Sequence, residues 1–172
     1  MNTEEDYLYF IKQDPMLLSI IPENCQTEEL CIAAVEVDGK MIKFVSRQTE
    51  AICRAAISQW HHAIEYAEFQ PYDLIMPVLM AYPHLLRYVN QPTDEMIMIT
   101  VLQDGTTLKY VPALRQTEQV KRAAISSDPL ALEYCITQTN LLCAFAISKN
   151  YKALQYVKNP TYALVQLAFK AM

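Results

Sequence analysis

At 172 residues the chain is long enough for one domain with a real core, and 52% hydrophobic against 19% charged residues is a globular balance. Two glycines in the whole chain exclude a glycine-rich phosphate cradle and argue against a turn-rich all-β fold. A formal net charge of −5 argues against nucleic acid as the first partner to expect.

The acidic start, "MNTEEDYLYF", is the reverse of a signal peptide's basic one, so no export signal is expected. The first internal signal is Asp14-Pro15, because proline directly after an N-cap suits the first helical position. Pro22 stops the short helix that follows. Thr27-Glu28-Glu29 then starts another: the hydroxyl caps free N–H groups, and the carboxylates face the positive end of the dipole. Its body, "LCIAAVEV", places Leu30, Cys31, Ala34 and Val35 on one buried stripe. Asp38 ends that helix and caps a short second one carrying Ile42, Phe44 and Val45.

The same phrase then recurs. Phe44, Tyr66, Tyr88, Tyr110, Tyr134 and Tyr156 are separated by 22, 22, 22, 24 and 22 residues, and Ile20 precedes Phe44 by 24. Thr3, Thr27, Thr49, Pro71, Thr93, Thr117, Thr139 and Thr161 share these offsets, as do Asp14, Asp38, Trp60, Tyr82, Asp104, Asp128 and Asn150. Three columns are never charged and mark the core. They are the Ile11, Val35, Ile57, Leu79, Val101, Ile125, Ile147 set; the Leu18, Ile42, Ile64, Leu86, Leu108, Leu132, Leu154 set; and the Ile21, Val45, Ala67, Val89, Val111, Cys135, Val157 set. One helical hairpin of this size cannot bury its apolar face alone, whereas stacked neighbours can. The expected fold is therefore an all-α solenoid of seven 22–24-residue helix pairs plus a half repeat, one domain over 1–172.

The stretch "TEELCIAAVEVDGKMIKFV" resembles the short helical repeat catalogued as domain of unknown function 4116, in which T-x-E-x-C-x-x-A-V and then G-x-x-L-x-Y-V recur at similar spacing. Residues 27–45 carry the resemblance best, with 93–112 and 117–134 carrying it in part. That family occurs in large DNA viruses, protists and host-associated bacteria and has no assigned catalytic residues. The resemblance implies an interaction scaffold, in its specific form a modulator or inhibitor of a host process.

The repeat departs from its own pattern in the middle. Trp60 and Tyr82 replace the capping aspartate in two consecutive repeats, beside His61, His62 and His84, the three histidines of the chain. His62 and His84 share a register. These five residues are the candidate partner-binding surface, an aromatic ridge of the kind enriched at binding hot spots; filling the gap left by a lost cap is the alternative reading of Trp60 and Tyr82. Zinc needs three or four converging ligands, which this spacing does not supply, so no metal and no cofactor is expected. Pro77 falls inside the first helix of its repeat, where it bends the helix or shapes a groove.

The five cysteines are an odd set without C-x-x-C spacing, expected to be reduced and mostly buried in a cytoplasmic compartment of the producing or host cell. Burial blunts thiol reactivity, and no catalytic motif is present, so the chain is not read as an enzyme; a small enzyme built on the histidines is the third-ranked reading. The longest uncharged apolar run, "LIMPVLMAY", is too short to cross a bilayer. Charge is graded: residues 1–50 hold ten acids and four bases (net −6), and residues 105–172 hold three acids and eight bases (net +5). The basic third offers Lys109, Arg115, Lys121, Arg122, Lys149, Lys152 and Lys158 as a candidate patch for nucleic acid. Another protein, either a host factor or a second copy of the chain, is the leading partner.

Overall fold

Helix start signals sit every 22 to 24 residues, and the computed structural model places an α-helix after each one it describes. It describes residues 4–172; Thr3, the first of the threonine column, lies outside the described residues. The α-helices are α1 (Glu4–Gln13), α2 (Glu28–Val37), α3 (Glu50–Gln59), α4 (Tyr72–Ala81), α5 (Asp94–Gln103), α6 (Glu118–Ser127), α7 (Asn140–Lys149) and α8 (Tyr162–Lys170). Among the described residues the fold is all-helical, with no strand.

The threonines cap as expected. Thr27 Oγ1 accepts from the Leu30 N–H at 3.3 Å, and Thr49, Thr93, Thr117, Thr139 and Thr161 each accept from the N–H three residues on. The second helix of each pair is 3-10 rather than α, as in Gly39–Phe44 and Pro129–Tyr134. Six residues between a capping side chain and an extended residue favour i→i+3 bonds, which close in short runs. Asp14, Asp38, Asp104, Asp128 and Asn150 each accept from the N–H two residues on. The two-residue insertions have a physical form: after Pro22 and Pro112 the chain makes an extra 3-10 turn, Glu23–Cys25 and Ala113–Arg115.

All seven members of the first core column are 0% exposed, from Ile11 to Ile147. The second column is buried except for half-buried Leu154, and the third except for half-buried Val89. Pro77 lies inside α4 with its ring exposed.

The packing resolves into two compact units, Met1–Val78 with Tyr88–Asn90, and Leu79–Arg87 with Gln91–Met172. Within each, a glutamine ladder joins one repeat to the next. In the first unit, Gln26 Nε2 donates to Ile21 O (3.2 Å) and Phe44 O (3.1 Å), while its Oε1 accepts from the Ser46 N–H (3.0 Å). Gln48 spans Tyr66 O and the Glu68 N–H, and Gln70 spans Tyr88 O and the Asn90 N–H. In the second unit Gln116 joins Leu108 O, Tyr134 O and the Ile136 N–H, and Gln138 joins Leu132 O, Tyr156 O and the Lys158 N–H. Each side-chain amide pairs with the next repeat's backbone where the 3-10 segment has ended and those groups have no helical partner. No buried side-chain nitrogen or oxygen among the described residues lacks a hydrogen-bond partner.

Candidate functional site

Trp60 has the backbone of a capping aspartate without the cap. Its φ and ψ, −141° and 103°, match Asp38 (−141°, 108°) and Asp104 (−140°, 101°), yet no side-chain hydrogen bond closes the following 3-10 segment, His61–Glu65. The conformation is set by the repeat, so the indole is carried where a carboxylate usually sits. Gly39 of the preceding repeat makes room for it: a Cβ there would stand 2.7 Å from Trp60 Cβ and 2.7 Å from Ala56 O. Gln59 Oε1 accepts the Gly39 N–H at 2.7 Å and fixes that approach.

The half-buried indole gathers its neighbours into a cluster. It stacks on His62 (centroids 5.8 Å apart, planes at 22°) and on Tyr66 (6.2 Å, 17°). Lys43 Nζ lies 4.4 Å from the Tyr66 centroid and 5.5 Å from that of Trp60, with Lys40 Nζ at 6.0 Å from Trp60. These are cation–π distances, and the π faces are electron-rich where the ammonium groups sit. His61 is half-buried, and its Nδ1–H donates to Ile57 O at 3.1 Å. Residue spacing picks out Trp60, His61 and His62; it does not reveal Lys40, Lys43 and Tyr66, which come from the preceding and same repeats. Their signal was available, because Lys43 and Tyr66 stand in recurring columns. In the second unit, Tyr82 and His84 are both exposed and meet edge to face, 6.4 Å apart at 82°.

The basic residues divide by role. Lys121 is 5% exposed: its Nζ donates to Thr137 Oγ1 (3.1 Å) and Thr137 O (3.3 Å) and pairs with Glu118 (3.2 Å). Lys158 Nζ donates to Cys135 O and Ile136 O, so both ammonium groups hold the 135–137 turn. Arg115 pairs with Asp94, Lys109 lies over the rings of Tyr110 and Tyr134, and Arg122 and Lys149 lie over Phe145. Lys152 is exposed.

Cys31, Cys53, Cys135 and Cys143 are buried and Cys25 is exposed. Desolvation raises the pKa of all four buried thiols, Cys135 to about 11, so they stay protonated at neutral pH. Among the described residues no three of His, Cys, Asp and Glu converge on a point that a metal could occupy, and no helix is long and apolar enough to cross a membrane. Comparison with protein-family models, with curated proteins and with solved structures finds no match to this chain.

Proposed function

We propose that this chain is a non-catalytic α-solenoid scaffold that binds another protein, using the cluster built around Trp60 in the first unit and, in the second unit, the exposed pair Tyr82 and His84. One observation carries the reading: a repeat that forms a side-chain cap at Asp14, Asp38, Asp104, Asp128 and Asn150 forgoes it at Trp60 while keeping the backbone unchanged. A cap is worth about 0.5–2 kcal/mol, so the indole replaces a stabilising group with one that offers recognition. Aromatic bodies with polar tips suit protein surfaces, and Lys40 and Lys43 beside the rings favour an acidic segment on the partner. The resemblance of residues 27–45 to the repeat found in large DNA viruses, protists and host-associated bacteria gives the proposal its specific form, a modulator of a host process acting in the cytoplasm. The test is affinity purification of partners from the native host with the wild-type chain and with Trp60→Ala/Tyr82→Ala as parallel baits. The partner should bind the double variant at least tenfold more weakly, about 1.4 kcal/mol. Equal retention by a folded double variant refutes the assignment.

A further inference from the structure

We propose that the cleft between the turns 135–138 and 157–159, within the second unit, binds a small molecule bearing one carboxylate. The proposal is independent of the Trp60 surface and begins from two lysines that break the repeat. Lys121 stands in the column of Cys31, Cys53, Ile75, Ile97 and Cys143, and it is 5% exposed. An ammonium group buried there costs stability unless it is paired and hydrogen-bonded, a demand that an apolar residue in the same column never makes. Lys158 is the one base in a register that holds Ser46, Glu68, Asn90, Pro112 and Ile136 in the earlier repeats. The two lysines come from different repeats and meet on one turn. Lys121 Nζ reaches Thr137 Oγ1 (3.1 Å), Thr137 O (3.3 Å) and Glu118 Oε2 (3.2 Å). Lys158 Nζ donates to Cys135 O (3.0 Å) and Ile136 O (2.8 Å).

The cleft beside this turn has a volume of about 360 Å³, within the range of small-molecule sites. Ile136 and Val157 give it apolar wall, and Thr137, Asn140, Lys158 and Asn159 give it polar groups. The lysines fix the sense of those groups. Thr137 Oγ1 accepts from Lys121, so the hydroxyl's own proton is directed elsewhere. Lys158 carries three protons, of which the turn carbonyls take two. Asn140 and Asn159 each add an amide, and among the described residues neither side chain is engaged in a hydrogen bond. No carboxylate among the described residues lines the cleft. Asn140 stands where Glu28, Glu50, Asp94 and Glu118 begin their helices.

The charge at the cleft selects the ligand. Glu118 offsets Lys121, so the cleft presents one uncompensated ammonium group, that of Lys158. A carboxylate matches that single charge and takes charge-assisted bonds from Lys158 and a bond from the Thr137 hydroxyl. The two amides, each both donor and acceptor, are left for a polar substituent such as a second amide. A phosphate carries more charge than the cleft offsets, which makes it the discriminating competitor.

The test is an NMR titration of the full chain, observed at its backbone amides, with acetate, N-acetylglycinate and inorganic phosphate at constant ionic strength, so that general screening does not differ between probes. Both carboxylates should give saturable shifts confined to residues 136–141 and 157–159, with N-acetylglycinate the tighter of the two and phosphate weaker than either. Lys158→Met should weaken both carboxylates at least tenfold. Because Lys158 also holds the turn, a second variant is needed: Asn140→Ala/Asn159→Ala changes two exposed side chains and should remove the advantage of N-acetylglycinate while leaving acetate binding in place. Shifts that never saturate or spread along the whole chain, phosphate binding tighter than the carboxylates, or an Asn140→Ala/Asn159→Ala chain that still prefers N-acetylglycinate overturns the proposal.

Discussion

Removing one rung of the glutamine ladder tests whether inter-repeat stability depends on a side chain rather than on apolar contact alone. Gln116 is 9% exposed, and its amide nitrogen donates to Leu108 O (3.1 Å), Val111 O (3.4 Å) and Tyr134 O (3.2 Å) while its oxygen accepts from the Ile136 N–H (3.1 Å). Truncation by Gln116→Ala leaves Tyr134 O and the Ile136 N–H of the next repeat without this partner, and the two local carbonyls, Leu108 O and Val111 O, as well. A net hydrogen bond contributes about 0.5–1.5 kcal/mol, and a buried group left unpaired costs about 1–3 kcal/mol. Water reaches part of the turn, so the expected loss is about 2–4 kcal/mol, or roughly 5–15 °C in Tm for a chain of this length. Urea unfolding followed by circular dichroism measures it, with exposed Gln119→Ala as the control. Gln116→Glu sharpens the test, because it keeps an acceptor towards Ile136 N–H but turns an oxygen towards three carbonyls. It should be at least as damaging as alanine at neutral pH and recover as the new carboxyl is protonated. A Gln116→Ala variant within about 0.5 kcal/mol of wild type, the range of ordinary surface changes, would show that the ladder decorates an interface already held by packing.

Leu108→Ala, at 0% exposure, should cost about 2–5 kcal/mol, while exposed Lys109→Ala next to it should be nearly silent in the same denaturation assay. Thr27→Ala and Asp38→Ala should each cost about 0.5–2 kcal/mol, and unchanged melting in both would displace the assigned helix starts. In a thiol-titration assay on the native protein, Cys25 should react rapidly and the other four cysteines only on unfolding. Because burial holds the Cys135 thiol up at about 11 and raises three others, the folded chain keeps protons that the unfolded chain releases above pH ~8.5. The associated stability is full below that pH and is lost as pH rises towards ~11, and Cys135→Ala should flatten the decline in the urea midpoint. Finally, Trp60→Asp restores a cap on a backbone already shaped for it. The gain of about 0.5–2 kcal/mol offsets a loss of about 0.5–1.5 kcal/mol in ring stacking, so stability should hold or rise while partner binding falls. A net loss beyond about 2 kcal/mol would make Trp60 a packing residue instead.

Periodicity made the helices legible because the repeat writes each physical requirement several times. Thr27, Thr49 and Thr117 sit at equal offsets and do the same work, so a pattern ambiguous in one copy is decided by the others. The 3-10 character of the second helix was not legible, since apolar spacing over six residues fits either helix type. The glutamines stand at positions 26, 48, 70, 116 and 138, directly before the threonine column or its Pro71 member, but residue type alone does not distinguish them from polar loop residues. Their acceptors lie 18 residues away on backbone carbonyls, which carry no sequence signal. Lys121 was misleading for a related reason. It occupies the column of Cys31, Cys53, Ile75, Ile97 and Cys143, all buried, and its aliphatic stem fills that place while the ammonium reaches Thr137.

The surface around Trp60 shows how a broken rule picks out a candidate surface without describing it. Loss of the aspartate column drew attention to Trp60, His62, Tyr82 and His84, yet sequence separation could not say what the indole would touch. It stacks on Tyr66, which follows the 3-10 segment His61–Glu65 in a right-handed helical backbone conformation, and Lys43 reaches both rings from one repeat earlier. The consequence is chemical: an isolated exposed indole would be a hydrophobic liability, whereas one flanked by two ammonium groups and an imidazole presents an apolar plane with a cationic border. Such a border favours a carboxylate-bearing partner over a purely apolar one. Lys43→Glu should therefore weaken partner binding by removing both that charge and the contact over Tyr66, while leaving the buried columns, and with them the melting temperature, nearly unchanged. Were binding to survive this reversal and fail in Trp60→Ala, the rings alone would form the recognition surface and the acidic-partner reading would fall.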